Sequence, residues 1–513
     1  MSQPLWQFHG GIKLEGFKRL SNQTPATPLP LPTRLTLPLQ QHIGQPARPV
    51  VQEGERVLKG QLLAESSGYV SAPIHAPTSG TILAIAPRIT NHPSGQPQVA
   101  IELTPDGAEQ WIERQPVESY LKLAPADLRQ KIHSAGIVGM GGAGFPTHIK
   151  LNTPSKQATG TLIINGAECE PFITCDDRLM RERADAIISG ARIMRHALHA
   201  VRCVIGIEDN KPEAMKALTA ALQLSGKIDI EIVAIPTLYP AGGEKQLIKT
   251  LTGKEVPSGG IPLDVNVVCQ NVATATAVHD AIREGRPLIN RYVTVSGELI
   301  RHPQNFIVPL GASVQSLIQA ASGTTEDHGE TIMGGPMMGI RLNHGATPIT
   351  KTANAILVRP PQPTTTDHQP CIRCGECATV CPANLLPQQL YWHARAKELE
   401  KVQDYALFDC IECGCCAWVC PSTIPLVHYY RYAKTEIWEQ ERLKKAADIA
   451  RERHEFRQFR LQREKEERAV RHQQQKSAIS SKGDGETSDK KALIEAALAR
   501  AKAKKSAAAH TDS

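Results

Sequence analysis

Cys371-Ile-Arg-Cys374-Gly-Glu-Cys377-Ala-Thr-Val-Cys381-Pro382 and Cys410-Ile-Glu-Cys413-Gly-Cys415-Cys416-Ala-Trp-Val-Cys420-Pro421 are two copies of one pattern, C-x2-C-x2-C-x3-C-P. Three thiolates on a tight loop reach three irons of one cubane, and the fourth cysteine of each run ligates the other cluster. The spacing therefore predicts two [4Fe–4S] clusters with crossed ligation. Cys371, Cys374, Cys377 and Cys420 are expected on one, and Cys410, Cys413, Cys416 and Cys381 on the other. Each fourth cysteine is expected to open a helix, with the following proline redirecting the chain. Paired zinc knuckles are the competing reading, but zinc is satisfied by four sulfurs and does not call for eight at doubled spacing. Cys415 is surplus and is expected to be a buried bystander.

The run is of the bacterial ferredoxin type. Between the copies, Pro387–Val402 reads as a helix, so this is a more helical dicluster module. Nine of the thirteen cysteines fall in the window 371–420. A secreted disulfide scaffold would spread them through a small chain; this chain has 513 residues, enough for several domains. The formal charge is +7, with Lys and Arg crowded towards the end. No run approaches the roughly 18–20 apolar residues that span a bilayer. The opening MSQPLWQFHGG lacks a signal-peptide pattern. The chain is expected to stay on the cytoplasmic side and to meet a membrane only through partners.

Residues 160–285 alternate as in a parallel α/β sheet. Apolar strand-like runs are Thr161–Asn165, Val201–Ile207, Ile228–Ile235 and Val265–Cys269. Helical patterns lie at 177–200, 211–224, 243–252 and 272–285. Just ahead is Gly139-Met140-Gly141-Gly142-Ala143-Gly144-Phe145-Pro146-Thr147, then Lys150. Backbone without side chains approaches a phosphate closely, and Lys150 adds a charge. The loop is neither a P-loop nor the usual dinucleotide fingerprint.

Four segments in order carry a resemblance to the NADH- and FMN-binding flavoprotein subunit of respiratory complex I. They are the Gly-rich loop, Asn165-Gly-Ala-Glu168-Cys-Glu170-Pro171 with Asp177-Arg178, Tyr239-Pro-Ala-Gly242-Gly243-Glu244, and Asn271-Val-Ala-Thr274. The resemblance implies FMN held by Gly139, Gly141, Gly142, Ala143, Lys150, Asn165, Glu168, Tyr239, Gly242, Asn271 and Thr274. It also implies catalytic positions on the NADH side at Phe145, Glu170 and Glu244. Three positions depart from that family's pattern: Met140, where it has arginine, Ala167, where it is acidic, and Gly243, where it has a second glutamate.

Residues 45–85 resemble the barrel-sandwich fold of biotinyl and lipoyl carriers. The hairpin Glu65–Pro73 has no lysine to carry an arm, so a structural role is expected. Asn290–Gly323 resembles the small β-grasp module that follows the flavin domain in the complex I protein. His9, His75, His148 and His302 have no partner at ligand spacing and are expected to be surface or packing residues. Glu436–Lys476 reads as a long solvated helix supported by i,i+4 pairs. Ser477–Asp489 reads as a linker, and Lys490–Lys505 as a short basic amphipathic helix. That tail is either a solubility element or an electrostatic dock.

The expected organisation is multidomain α/β and β. A barrel-sandwich domain covers 1–120, an FMN/NADH α/β domain 121–288, a β-grasp (SLBB-like) module 289–358, a double [4Fe–4S] domain 364–432 and a basic tail 433–513. That order resembles the RnfC (RsxC) family of Rnf-type ion-translocating electron transport complexes. The resemblance implies a peripheral subunit on the cytoplasmic face of the inner membrane, part of a redox-driven NADH:ferredoxin oxidoreductase that pumps ions. NADH, the other members of the complex and a ferredoxin-like carrier are the implied partners, and no nucleic acid is expected. Two alternatives stay open: an iron–sulfur relay and docking subunit with a vestigial flavin site, and a soluble NADH-dependent diaphorase subunit.

Overall fold

The computed structural model describes residues 4–91, 95–152, 159–326, 328–361, 368–480 and 489–508. The chain forms two compact units, Met1–Lys434 and Thr435–Ser513. No described helix is long and apolar enough to cross a membrane.

The centre of the first unit is a four-stranded parallel sheet. Thr161–Gly166 lies between Arg202–Glu208 and Val267–Asn271, and Glu231–Ile235 is the outer strand beside Arg202–Glu208. Leu162, Ile163, Ile164, Val204, Ile205 and Ile207 are all fully buried. Neighbouring residues on a strand face opposite sides, so both faces are covered and the runs are continuously apolar. The chain builds outwards from Thr161–Gly166 to one side, then returns to add Val267–Asn271 on the other. That reversal is a topological switch point, where ligands sit beyond the carboxyl ends of the strands. It sets Asn165 directly beside Asn271 in register.

The helix expected over 177–200 is two helices, Cys175–Glu182 and Ala184–Leu198, parted at Arg183. In the second, Gly190 lies against the helix Val272–Arg283. A Cβ there would sit 1.8 Å from the Ala275 carbonyl oxygen, so only glycine permits this crossing.

The barrel-sandwich portion is two small antiparallel sheets. One has the order Leu35–Pro38, Gln98–Pro105, Gly80–Arg88, Arg56–Val57; the other Arg48–Pro49, Leu62–Glu65, Ile74–His75. Leu35, Leu37, Val57, Leu63, Ile74, Ile101 and Leu103 fill the space between them. The β-grasp portion is a six-stranded sheet, and its edge strand Thr27–Pro28 comes from far upstream, parallel to Gln304–Pro309. Residues 4–28 therefore form a strap across other modules. The Trp6 N–H donates to Thr250 O (3.1 Å), Gly11 N–H to Val380 O (3.0 Å), and Ile12 pairs with Tyr239.

In the cysteine module the fourth cysteines do not open helices. Each follows a single-turn helix, Glu376–Thr379 or Cys415–Trp418, which carries the third cysteine. Gly375 (φ +86°) and Gly414 (φ +79°) start these turns in the left-handed region, which reverses the chain and turns the third thiol inwards. The helix expected over 387–402 is split into Pro387–Arg395 and Leu399–Asp404, with Lys397 at φ +60° between them.

The helix Leu426–Ser480 continues into the second unit. There its surface carries Arg442–Glu439 and Arg451–Asp448 pairs at i,i+3 spacing and Arg460–Glu464 and Arg463–Glu467 pairs at i,i+4. The linker expected over Ser477–Asp489 begins as helix as far as Ser480, and 481–488 lie outside the described residues. Asp489–Ala508 is helical, with Leu493, Ile494 and Leu498 exposed.

Lys351 is fully buried where three modules of the first unit meet. Its Nζ donates to Pro73 O (2.6 Å) of the barrel and Gly136 O (2.7 Å) ahead of the Gly-rich loop, and its backbone N–H to Gln41 Oε1 (3.2 Å). Burial pushes its pKa down to about 7. An unfolded lysine titrates near pH 10.4. Between those values the unfolded chain holds a proton that the folded protein has released, so stability rises with pH across the window and is flat below it. Against a Lys351→Met variant, the wild type should gain up to about 1.4 kcal/mol per pH unit from pH 7 to 10. Thermal unfolding of both proteins checks this, and a constant Tm difference would refute it.

Candidate functional site

A cavity of about 500 Å³ opens at the switch point of the parallel sheet. Gly139, Gly141, Gly142, Ala143 and Phe145 form one wall, and Asn165 and Asn271 project from the strand ends. Gly242, Glu244 and Lys150 close the side.

The loop is held at its ends and bare at its crest. Gly139 N–H donates to Phe145 O (2.8 Å), and Met140 N–H to Thr274 Oγ1 (3.1 Å). Gly141, Gly142 and Ala143 are exposed. A Cβ on Gly141 would come within 2.9 Å of the Asn271 side chain, so the backbone runs directly against the strand end.

Each asparagine is fixed through both side-chain atoms. Asn165 Nδ2 donates to Gly242 O (2.9 Å), and its Oδ1 accepts from Ala167 N–H (2.9 Å). Asn271 caps the helix Val272–Arg283: its Oδ1 accepts from Ala273 N–H (2.8 Å), and its Nδ2 donates to Asp176 Oδ2 (2.7 Å). Lys150 Nζ donates to Glu244 Oε1 (2.7 Å) and Cys269 O (3.2 Å). The cavity's lysine is thus paired with the cavity's carboxylate.

Four of the residues singled out in the sequence stand behind this cavity. Glu168 is buried and accepts from Asp176 N–H (2.8 Å). Burial pushes its pKa up to about 7 against the pull of the Lys18 ammonium. Glu170 accepts from the Met337 (3.1 Å) and Met338 (2.9 Å) amides of the β-grasp module, and burial raises it to about 7 as well. Thr274 holds the Gly-rich loop as described. Tyr239 Oη donates to Cys413 O (2.7 Å), across to the cysteine module.

Of the departing positions, Met140 is buried in the main core, and its carbonyl accepts from Arg291 Nη2 (2.9 Å). Gly243 caps the helix Glu244–Thr252. Ile261, Pro262 and Leu263 also line the cavity. They were not singled out in the sequence; the turn-rich Pro257-Ser-Gly-Gly-Ile261-Pro262 was the available signal.

The cavity suits a flavin mononucleotide: bare loop backbone and Lys150 for an anionic end, and the apolar Ile261–Leu263 and Phe145 for a ring system.

The cysteines gather into two crossed sets. Cys371, Cys374, Cys377 and Cys420 line a cavity of about 330 Å³ with Ile372 and Trp392. Cys381, Cys410, Cys413 and Cys416 line a tighter one under Tyr430 and Val427. Backbone N–H groups face two of the sulfurs, Glu412 to Cys410 Sγ and Leu385 to Cys381 Sγ, both 3.4 Å. Four converging sulfurs suit a cubane in each case, and both amide donors belong to the second set. Cys415 is fully buried among Ile12, Tyr239 and Cys413 and lines neither cavity.

Family comparisons match the same order of modules. The RnfC barrel sandwich hybrid domain matches residues 6–107, the Nuo51 FMN-binding domain 132–280, the SLBB domain 292–341 and the 4Fe-4S dicluster domain 370–424. The cofactors are accordingly FMN and two [4Fe–4S] clusters. The C subunit of the ion-translocating oxidoreductase complex from Edwardsiella ictaluri (strain 93-146) is 49% identical over 97% of this chain, which spans 61% of that protein's length. The protein of the same name from Haemophilus influenzae (strain 86-028NP) is 48% identical over 91% of this chain, which spans 70% of it. Among solved structures, an NAD+-reducing [NiFe]-hydrogenase in the H2-reduced state aligns over 61% of this chain and 63% of that one, at 18% identity and a TM-score of 0.44. On the sequence relatives and the matched modules, this chain belongs to the RnfC family of ion-translocating oxidoreductase complexes.

Proposed function

We propose that this chain is the peripheral redox subunit of a membrane-bound ion-translocating complex. It exchanges electrons between NADH and a ferredoxin-like carrier through FMN and two [4Fe–4S] clusters, while membrane subunits move ions. Its place is the cytoplasmic face of the inner membrane, reached through those subunits. The observation that carries the proposal is the Tyr239–Cys413 hydrogen bond, which joins the turn beside the FMN cavity directly to a cysteine loop.

FMN would rest on Gly139, Gly141, Gly142 and Ala143, beside Lys150, Asn165, Gly242 and Asn271. When bound, it supplies hydride acceptance and release of the electrons one at a time. The protein contributes placement. Asn165 and Asn271 are locked by their neighbours and present fixed dipoles. Phe145 and Glu244 face the same space for the nicotinamide partner. Glu168 and Glu170 shape the loop behind it, and Thr274 holds the Gly-rich loop at Met140. Cys371, Cys374, Cys377 and Cys420 would carry one cluster, and Cys381, Cys410, Cys413 and Cys416 the other.

The Lys150–Glu244 pair favours a second reading. A phosphate must compete with Glu244 for that ammonium, and the arginine of the related loop is the buried Met140. An iron–sulfur relay without a working flavin would fit those features.

Anaerobically purified protein is expected to hold about eight irons, four per cluster, together with a flavin that NADH bleaches. Eight irons with no flavin and no bleaching would establish the relay instead. Crossed ligation makes Cys420→Ser remove the cluster built on Cys371–Cys377 while sparing the other. Iron content should fall to roughly half with one paramagnetic signal left, and loss of the other signal first would contradict the assignment. Cell fractionation checks the location: the protein should sediment with membranes only when its partner subunits are present.

A further inference from the structure

We propose that Asp409 and Tyr239 are positioning residues that clamp the Cys410–Cys416 loop onto two walls of the FMN cavity. This makes the cluster of Cys381, Cys410, Cys413 and Cys416 the one that exchanges electrons with the flavin. The inference rests on the electron-transfer reading above and names the joint through which it operates.

Asp409 immediately precedes Cys410 and is half-buried, its side chain 17% exposed. Its Oδ1 accepts from Gly259 N–H (3.3 Å) and Lys245 Nζ (3.4 Å), and its Oδ2 accepts from Ser258 Oγ. Ser258 and Gly259 lead directly into Ile261–Leu263, the apolar wall of the cavity, and Lys245 follows Glu244 on another wall. A single carboxylate therefore ties two parts of the cavity rim to the residue before a cluster ligand.

Tyr239 makes the matching attachment four residues on, at Cys413. It is 2% exposed, and its hydroxyl holds Cys413 O. Tyr239 belongs to the turn that ends in Gly242, which Asn165 holds at the cavity. Gln246 Nε2 adds a bond to Pro382 O (3.1 Å), the residue after Cys381. Three of the four sulfurs in this set thus sit on, or next to, backbone or side chains fastened to the flavin domain.

The other set is tied differently. Gln369 N–H donates to Ser422 O (3.1 Å) and Ser422 Oγ to Pro370 O (2.9 Å), both within the cysteine module. Cys374 and Ile372 are exposed. Electron tunnelling weakens steeply with separation, so the clamped cluster is the entry and the exposed one faces the carrier. In the forward direction the two electrons of a reduced flavin would leave one at a time through the clamped cluster, the first moving on to the cluster of Cys371, Cys374, Cys377 and Cys420 before the second follows, and the flavin's N–H proton would pass to water.

The test uses full-length protein with flavin and clusters loaded, comparing wild type with Asp409→Ala, Asp409→Asn and Tyr239→Phe. Flavin and cluster absorbance are followed anaerobically after mixing with NADH, and separately after light-driven reduction of the flavin. In Asp409→Ala, flavin reduction by NADH should keep its wild-type rate, while electron passage to the clusters slows roughly tenfold or more. Asp409→Asn keeps an acceptor for Ser258 and Gly259 and should recover most of that rate. Tyr239→Phe should slow the same step, which covers the case of an Asp409→Ala protein that fails to load iron. Cys420→Ser should still accept an electron from the flavin, whereas Cys381→Ser should leave electrons stranded there.

Unchanged flavin-to-cluster transfer in Asp409→Asn, Asp409→Ala and Tyr239→Phe would overturn the clamp. Stranding in Cys420→Ser but not in Cys381→Ser would overturn the order. If NADH fails to reduce the flavin but light-reduced flavin feeds the clusters with this variant pattern, the NADH assignment falls and the clamp stands.

Discussion

A buried lysine amine ties three modules of the first unit together. Lys351 donates to one carbonyl of the barrel and one from the approach to the Gly-rich loop, and its own carbonyl accepts from Arg291 Nη1. Arg291, also buried, reaches on to Met140 O within the loop. A buried amine is costly unless its donors are met, and no single module supplies both acceptors. The chemistry is satisfied only when barrel, flavin domain and β-grasp module are assembled. The Gly-rich loop, with its exposed crest, is thereby anchored from below by groups that belong to other modules.

The cavity and the cysteines show the same economy. Residues near the cavity that face away from it fasten the wall to a neighbour: Glu170 to the β-grasp amides, Tyr239 to the cysteine loop, Thr274 to the Gly-rich loop. Electron transfer asks for little bond-making by the protein and much fixed distance. A site built from mutually braced turns answers that demand better than one whose loops are free to swing. Lys150 and Glu244 are the exception, since their pairing leaves a charge to be rearranged when an anion binds.

Much of this was legible in the residues because the signals are local. The cysteine spacing drew both crossed sets, and the apolar runs located all four parallel strands within a few positions. Asn165 and Asn271 came from short segments whose spatial adjacency follows from strand order. The helix breaks at Arg183 and Lys397 left no mark, because neither position is a proline or glycine. The single-turn helices that carry Cys377 and Cys416 were misjudged, since four residues are too few for a periodic pattern. Lys351, Asp409 and the bonding of Tyr239 were hidden for another reason. Their partners lie more than a hundred residues away, and periodicity carries no information at that range.

The strap of residues 4–28 has a consequence for how the molecule comes into being. His9 Nδ1 bonds to the Cys381 carbonyl (2.9 Å), Gly11 to Val380, and Ile12 to Tyr239. At Gly10, φ +69°, a Cβ would lie 2.5 Å from the Val380 backbone. A chain emerges from the ribosome in order, so residue 9 is made well before its partner, which lies 372 positions later. The barrel, the parallel sheet and the first cysteine run must all have been made before that contact closes. This upstream segment therefore closes on the cysteine module only late, and its docking marks a polypeptide whose first cysteine run has taken its place.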